Sequence, residues 1–252
     1  MIDAILGVYW KEEDEQMKLS KILKVKRQVH RRRIQTLVFL SSGILSLIIV
    51  LITFYGQSAG NFVMSVDYDA YKRGIVLSKD NNFENAEPRL MTRPVDEATD
   101  MNYAWLKIDD VQLATGNYID PDFDYIAYTF YLHNNGTEFI DIGYHIRITD
   151  VYKNMDRAIR ILIIEDGVQS VYKKADYISQ GGIPLSEVIG IHESINFLTD
   201  TIVTRKRISQ FAPNSVKKFS VIIWIEGTDP DTTDDILGGM VKFQMNFSID
   251  TN

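Results

Sequence analysis

The densest set of potential ligand groups in the chain is an acidic run, Glu226, Asp229, Asp231, Asp234 and Asp235, set among glycine, threonine and proline. Calcium takes roughly six to eight oxygen ligands from carboxylates, carbonyls and water, and this stretch offers oxygens of that kind. It lacks the central glycine and closing glutamate of an EF-hand loop. The preferred reading is a solvated turn in which Asp231 or Thr233 caps a helical turn at Asp234, Asp235 and Ile236. Asp120, Asp122 and Asp124 form a second, weaker set with the same alternatives. Calcium is therefore a possible ligand, and no other cofactor is expected.

Catalytic chemistry has little to build on. There is no cysteine, which excludes disulfides, thiolate zinc sites and a cysteine nucleophile. The histidines are His30, His133, His145 and His192. None has the His-Glu-x-x-His spacing that sets two imidazoles on one helical face. His192 and Glu193 are followed by Ser194, Ile195 and Asn196, which fails that test. A zinc site assembled from the distant His145 and His192 is the alternative to solitary polar histidines. No nucleophile elbow, phosphate loop or dinucleotide fingerprint occurs. No catalytic residue is assigned, and a non-enzyme is expected.

The element that must position everything else is a stretch from Ile34 to Val66 without a charged residue, preceded by Arg31, Arg32 and Arg33. A helix that crosses the hydrocarbon layer needs about 20 mostly apolar residues. Residues 36–56 meet that need, and after Thr36 only Ser41, Ser42, Ser46 and Thr53 interrupt them as polar residues. An aqueous helix would instead show a polar face at helical spacing. Residues 1–35 carry nine basic and five acidic side chains, net +4 (9 − 5), so the rest of the chain is net −11 (18 − 29). Basic residues flanking a membrane helix stay on the cytoplasmic side. The sequence thus predicts a single-pass protein of the cell membrane, with residues 1–35 a partly helical cytoplasmic arm and residues 57–252 an extracellular domain. Arg31, Arg32 and Arg33 set the topology and meet anionic head groups. The same cluster abuts the membrane helix and lacks interleaved aromatics, so nucleic acid is not expected as a partner. A cleaved signal peptide is the rival reading, since Gly56, Ser58, Ala59 and Gly60 are small. The long basic region and long apolar run favour a retained anchor.

The outside domain reads as strand after strand. Asn61 to Tyr68, Gly74 to Ser78, and Trp105 to Ala114 look extended, with a long polar loop over 79–101. The strongest hairpin signal joins Tyr125–Leu132 to Phe139–Thr149 through Asn135-Gly136. The first arm is apolar at nearly every position and should be buried on both faces. Ala158–Gly167 and Val168–Lys174 form a further turn-linked pair after one helical turn at Asn154–Arg157. Pro184–Leu198 reads as loop with a short helix, residues 200–210 as an edge strand, and Val216–Gly227 and Met240–Ile249 as strands. About eight or more short strands near ten residues apart imply a mainly β domain, an antiparallel β-sandwich.

Particular segments carry a resemblance. Thr53–Phe62, Arg73–Asn85, Tyr125–Gly136, Asp156–Gly167 and Trp224–Phe247 resemble membrane-anchored proteins of unassigned role in Gram-positive Firmicutes. The Tyr125–Gly167 block followed by Tyr172, Lys173 and Lys174 is more distantly similar to the TasA/camelysin group. That resemblance implies an exported, jelly-roll-like sandwich, known in the group as a biofilm-matrix fibre subunit or a surface metalloprotease. No zinc motif is present onto which the protease site could be carried. The expected function is a non-catalytic envelope protein for adhesion, matrix attachment or scaffolding. Its expected partners are the membrane, envelope or matrix proteins, or a second copy through strand pairing. A camelysin-like surface metallopeptidase and a signalling or assembly accessory with a cytoplasmic docking helix are the alternatives.

Overall fold

The computed structural model describes residues 34–50, 60–175 and 194–250. The chain divides into two compact units, Met1–Gln57 and Ser58–Asn252. In the first, residues 34–50 are helical (α1) and every side chain is exposed. Leu37 is 65 % exposed and Phe39 is 79 % exposed. Among the described residues no helix is long and apolar enough to cross a membrane. The expected span of 36–56 runs past residue 50, and residues 51–56, the arm with Arg31, Arg32 and Arg33, and Ser58 and Ala59 lie outside the described residues.

The second unit is mainly β. Its strands are β1 (Asn61–Val66), β2 (Ile75–Ser78), β3 (Arg89–Met91), β4 (Asp100–Met101), β5 (Gly116–Asn117), β6 (Ile126–Asn134), β7 (Ile140–Tyr152), β8 (Ile159–Glu165), β9 (Val168–Lys173), β10 (Ser194–Asn196), β11 (Ile202–Phe211), β12 (Val216–Glu226) and β13 (Met240–Ile249). Three short helices join them, α2 (Tyr68–Lys72), α3 (Ile108–Leu113) and α4 (Met155–Ala158). One sheet runs β11-β7-β13-β1-β3; the other runs β10-β9-β8-β12-β6-β2, with β4 beside β12 and β5 beside β6.

Both sheets are mixed, which corrects the all-antiparallel expectation. β1 runs parallel to β13, β10 to β9 and β4 to β12. A parallel pair needs a long crossover. For β1 and β13, the first and last strands of the unit, nearly the whole domain serves as that crossover.

Burial follows the side-chain alternation of a pleated strand. β1 and β13 alternate half-exposed and buried residues along their length, and so does the first half of β7. β8 is buried at almost every position, and so are the first part of β6 and the second half of β12. These central strands are covered on both sides. One side meets the five-stranded sheet in the main core. The other meets Met101, Leu106 and Val111 from the segment before β6 in a smaller core around Trp224 and Leu162. Phe130 and Phe219 of the larger sheet meet Tyr144 and Phe247 of the smaller one, with ring centroids 5.6 to 6.2 Å apart.

The expected Asn-Gly hairpin does not form. β6 pairs with β12 and β2, whereas β7 pairs with β11 and β13 in the other sheet. The Asn135-Gly136 connection crosses between sheets. Asn134 is buried there; its amide donates to the Glu138 and Phe211 carbonyls and accepts from the Gly136 N–H. A Cβ on Gly136 would collide with the Arg73 carbonyl oxygen. The glycine therefore serves close approach of two chain segments rather than a tight turn. The true short hairpin joins β8 to β9 at Asp166-Gly167, both at positive φ (48° and 86°), as a two-residue turn of this hand requires.

Three further expectations change. Trp105–Ala114 is not extended: Tyr103–Trp105 is a 3₁₀ turn and Ile108–Leu113 is α3, with Asp109 and Asp110 in its favourable first turn. The 79–101 loop contains β3 and β4, which add to strand edges. Of the Pro184–Leu198 segment, read as loop with a short helix, residues 184–193 lie outside the described residues, and Ser194–Asn196 forms strand β10 instead of loop. The edge strand over 200–210 is borne out as β11, at the edge of the five-stranded sheet.

The crossover and a buried hydroxyl make opposite predictions. Gly136→Ala should destabilise the domain by more than about 1 kcal/mol, because backbone must shift. Among the described residues the buried Tyr128 hydroxyl has no hydrogen-bond partner, and burial followed by the Glu87 charge pushes its pKa up to about 12. Tyr128→Phe should therefore be neutral or stabilising. Urea midpoints of the two variants beside the parent check both.

Candidate functional site

The loops at one end of the domain enclose a cleft of about 680 Å³. It lies where β6 and β8 begin, where β12 ends and where β13 begins. Ile126, Ile159, Ile223 and Ile225 are buried side chains that line it. One wall carries Asp96, Glu97 and Asp100; the other carries Asp234 and Leu237.

The first wall is tied down by backbone. Gly60 and Val95 exchange N–H to carbonyl bonds of 3.2 and 3.0 Å, and β4 pairs with Ile225 and Glu226 of β12. The second wall is the acidic run itself. The Thr232 hydroxyl donates to the Glu226 carbonyl at 2.7 Å, and the Ile236 N–H donates to the Thr233 carbonyl as the chain enters a 3₁₀ turn over Asp234–Ile236. Thr233 is the residue before that turn, but its side chain makes no capping bond. The loop with one helical turn expected here is borne out.

The acidic run does not converge on one point. Glu226 accepts the indole N–H of Trp224 at 3.0 Å and the Thr228 hydroxyl at 2.7 Å. Asp229 is buried against Arg160, with Nη1 to Oδ2 at 2.6 Å and both side chains 3 % exposed. Its other oxygen accepts the Asp231 N–H at 2.7 Å. Asp234 and Asp235 face solvent. The second acidic set is likewise engaged in its own turn. Asp120 accepts the N–H groups of Asp122 and Phe123 and the hydroxyl of Tyr125. Asp124 pairs with Arg93 at 3.1 Å. Among the described residues no three histidine, aspartate or glutamate side chains are arranged to hold a metal ion.

The histidines are spread. His133 packs against Phe83, with ring centroids 4.4 Å apart. His145 stands on the half-exposed face of β7, opposite Arg205 on one side and Asn246 on the other. His30 and His192 lie outside the described residues. Burial holds both described imidazoles below the usual histidine range, and at His145 the Arg147 and Arg205 charges add to it.

Two features of this end escape a reading by motif. Arg160 sits inside the apolar run Ile159–Ile164, and a charge inside a buried strand must find a partner; that isolated arginine was the available signal. Asp96, Glu97 and Asp100 lay in a segment read as plain surface loop, and only the strand pairing of β4 brings them opposite Asp234.

No protein-family model and no curated protein sequence matches the chain. Among solved structures it is similar to a beta-glucosidase from Kluyveromyces marxianus in complex with glucose, at 9 % identity and a TM-score of 0.25 over 71 % of this chain. An alpha-xylosidase from Xanthomonas citri follows, at 8 % identity and a TM-score of 0.20 over 69 % of this chain. The match takes in only 16 % and 15 % of those chains. A likeness of this degree carries no argument about activity.

Removing one partner of a buried ion pair strands the other charge. Arg160→Ala should cost about 3–5 kcal/mol in chemical denaturation, whereas Asp235→Ala, at the exposed end of the same run, should stay within about 0.5 kcal/mol. A second prediction concerns pH. His133 and His145 bind protons less readily folded than unfolded. The stability this provides is present above the ordinary value of 6.5 and is lost as pH falls. The urea midpoint should drop between about pH 7.5 and about pH 5, and His133→Gln with His145→Gln should flatten that slope. Asp141, held below the carboxylate range by the Gln210 N–H and by Arg207, acts below that window.

Proposed function

We propose that this chain is a non-catalytic cell-envelope protein. Residues 36–56 anchor it in the cell membrane, the arm ending in Arg31, Arg32 and Arg33 stays in the cytoplasm, and residues 57–252 present a jelly-roll-like, TasA-like β-sandwich outside. The observation that carries this reading is α1. Its residues 34–50 are uncharged and mostly apolar, with apolar residues on every side and small hydroxyls at Ser41, Ser42 and Ser46 between them, and all are exposed. A helix apolar all round requires a surrounding that is apolar all round, and the basic cluster before it has the sign and place of a cytoplasmic flank. Two mixed sheets that share one core support the sandwich.

Its work is adhesion, matrix attachment or scaffolding. Attachment through the loops stands ahead of strand pairing. β11 is the long edge strand, and it carries Arg205, Lys206 and Arg207 with register shifts near both ends. Charge and bulges are how edges resist another strand. The outer strands β3, β10 and β2 are only three or four residues long.

Topology is testable directly. Protease applied to intact cells should remove the large domain and spare an epitope placed on the N-terminal arm. Survival of the domain until the cells are lysed would overturn the reading. Mass spectrometry of the mature N-terminus, from membrane and medium, reads retention of the anchor in the same samples.

A further inference from the structure

We infer that the cleft at the loop end binds a cationic, partly apolar peptide segment of another envelope protein. The inference rests on the reading of this chain as an attachment protein and specifies the chemistry of its partner. Four carboxylates line the cleft, Asp96, Glu97 and Asp100 from one wall and Asp234 from the other, and among the described residues no lysine, arginine or histidine does. Glu97, Asp100 and Asp234 are exposed and have no ion pair among the described residues. Like charges facing a cleft with low-dielectric walls concentrate the field within it and draw in the opposite charge. The inner surface is largely apolar, with Ile126, Ile159, Ile223 and Ile225 beside Tyr125 and Trp224, and the rim offers Leu237 at 65 % exposure. A ligand that satisfies both needs ammonium or guanidinium groups at the rim and an aliphatic side chain between them. A basic peptide with alternating aliphatic residues has that chemistry.

Size and rigidity fit. About 680 Å³ lies within the range that holds a few side chains. The Gly60–Val95 and β4–β12 pairings fix one wall, and the Thr232 to Glu226 bond fixes the other. A preformed wall avoids part of the ordering cost of binding. The carboxylates stand on separate walls and form no three-ligand group, so spaced positive charges match them better than a single ion.

The test uses the full-length protein in nonionic detergent micelles, with empty micelles as blank. Fluorescence anisotropy follows a labelled Lys-Leu-Lys-Leu-Lys peptide and its Glu-Leu-Glu-Leu-Glu counterpart. Saturable binding of the basic peptide only is expected, weakened by salt. The double variant Glu97→Lys, Asp234→Lys should weaken it at least about tenfold, while Glu84→Lys, an exposed acid absent from the cleft lining, should leave it unchanged. Unaltered binding by the double variant, equal binding of the acidic peptide, or no saturation would each overturn the inference. So would displacement of the peptide by calcium chloride beyond that by sodium chloride of equal ionic strength, which would assign the cleft to a cation. If protease shaving supports the topology and the peptide does not bind, this inference falls and the envelope reading stands.

Discussion

Four aromatic rings hold the two sheets to one another. Phe219 stacks on Phe130 at 5.3 Å within the larger sheet, and Tyr144 and Phe247 of the smaller sheet press edge-on against them. All four residues are at most 2 % exposed. Such pairs add to their buried area through the attraction of ring edges for ring faces. The geometry also fixes register. A slip of one residue in β7 or β13 would turn Tyr144 or Phe247 out to solvent. Tyr144 adds a polar constraint, since its hydroxyl donates to Glu165 at 2.8 Å, and burial with that carboxylate raises its pKa well above the usual range.

From that core the order at the loop end follows. Strand β8, the second half of β12 and the first part of β6 are covered on both faces, so a charge within them must be paired inside the protein. Arg160 and Asp229 do this. Their contact holds the start of the β12–β13 loop against β8, and Glu226 with Trp224 holds its root. With the base of the loop so fixed, the later residues of the acidic run remain at the surface as one wall of the cleft. A single run of similar carboxylates thus divides into structural members, Glu226 and Asp229, and solvent-facing members, Asp234 and Asp235. The division follows which of them lies within reach of a buried donor.

The five-stranded sheet shows the complementary arrangement. One face is core and the other is a layer of side-chain amides, hydroxyls and paired ions. Arg147 donates to Gln244, Gln244 to Ser65, Ser65 to Asn246, and Asn246 to Asp67. This chain of bonds crosses β7, β13 and β1. It links the first and last strands of the domain, which run parallel, by side chains as well as by backbone.

Local pattern was enough for strand content, for the one-sided alternation of β13, for the two-sided burial of β6, for the charged edge at β11 and for the Asp-Gly hairpin. Each depends on neighbours a few residues apart, and the period of two or the positive φ of a tight turn is written in those neighbours. The same pattern misread Asn135-Gly136 as a hairpin, because a glycine needed for close approach to Arg73 looks the same in sequence as a glycine needed for a turn. It misread Trp105–Ala114 as extended, because a helix of one and a half turns leaves too few residues to show its period. Which strands share a sheet, the parallel seating of β1 on β13, the partner of Arg160 and the meeting of Asp96, Glu97 and Asp100 with Asp234 were decided by tertiary structure alone. These contacts join residues tens to nearly two hundred positions apart, and packing complementarity, not local spacing, selects them.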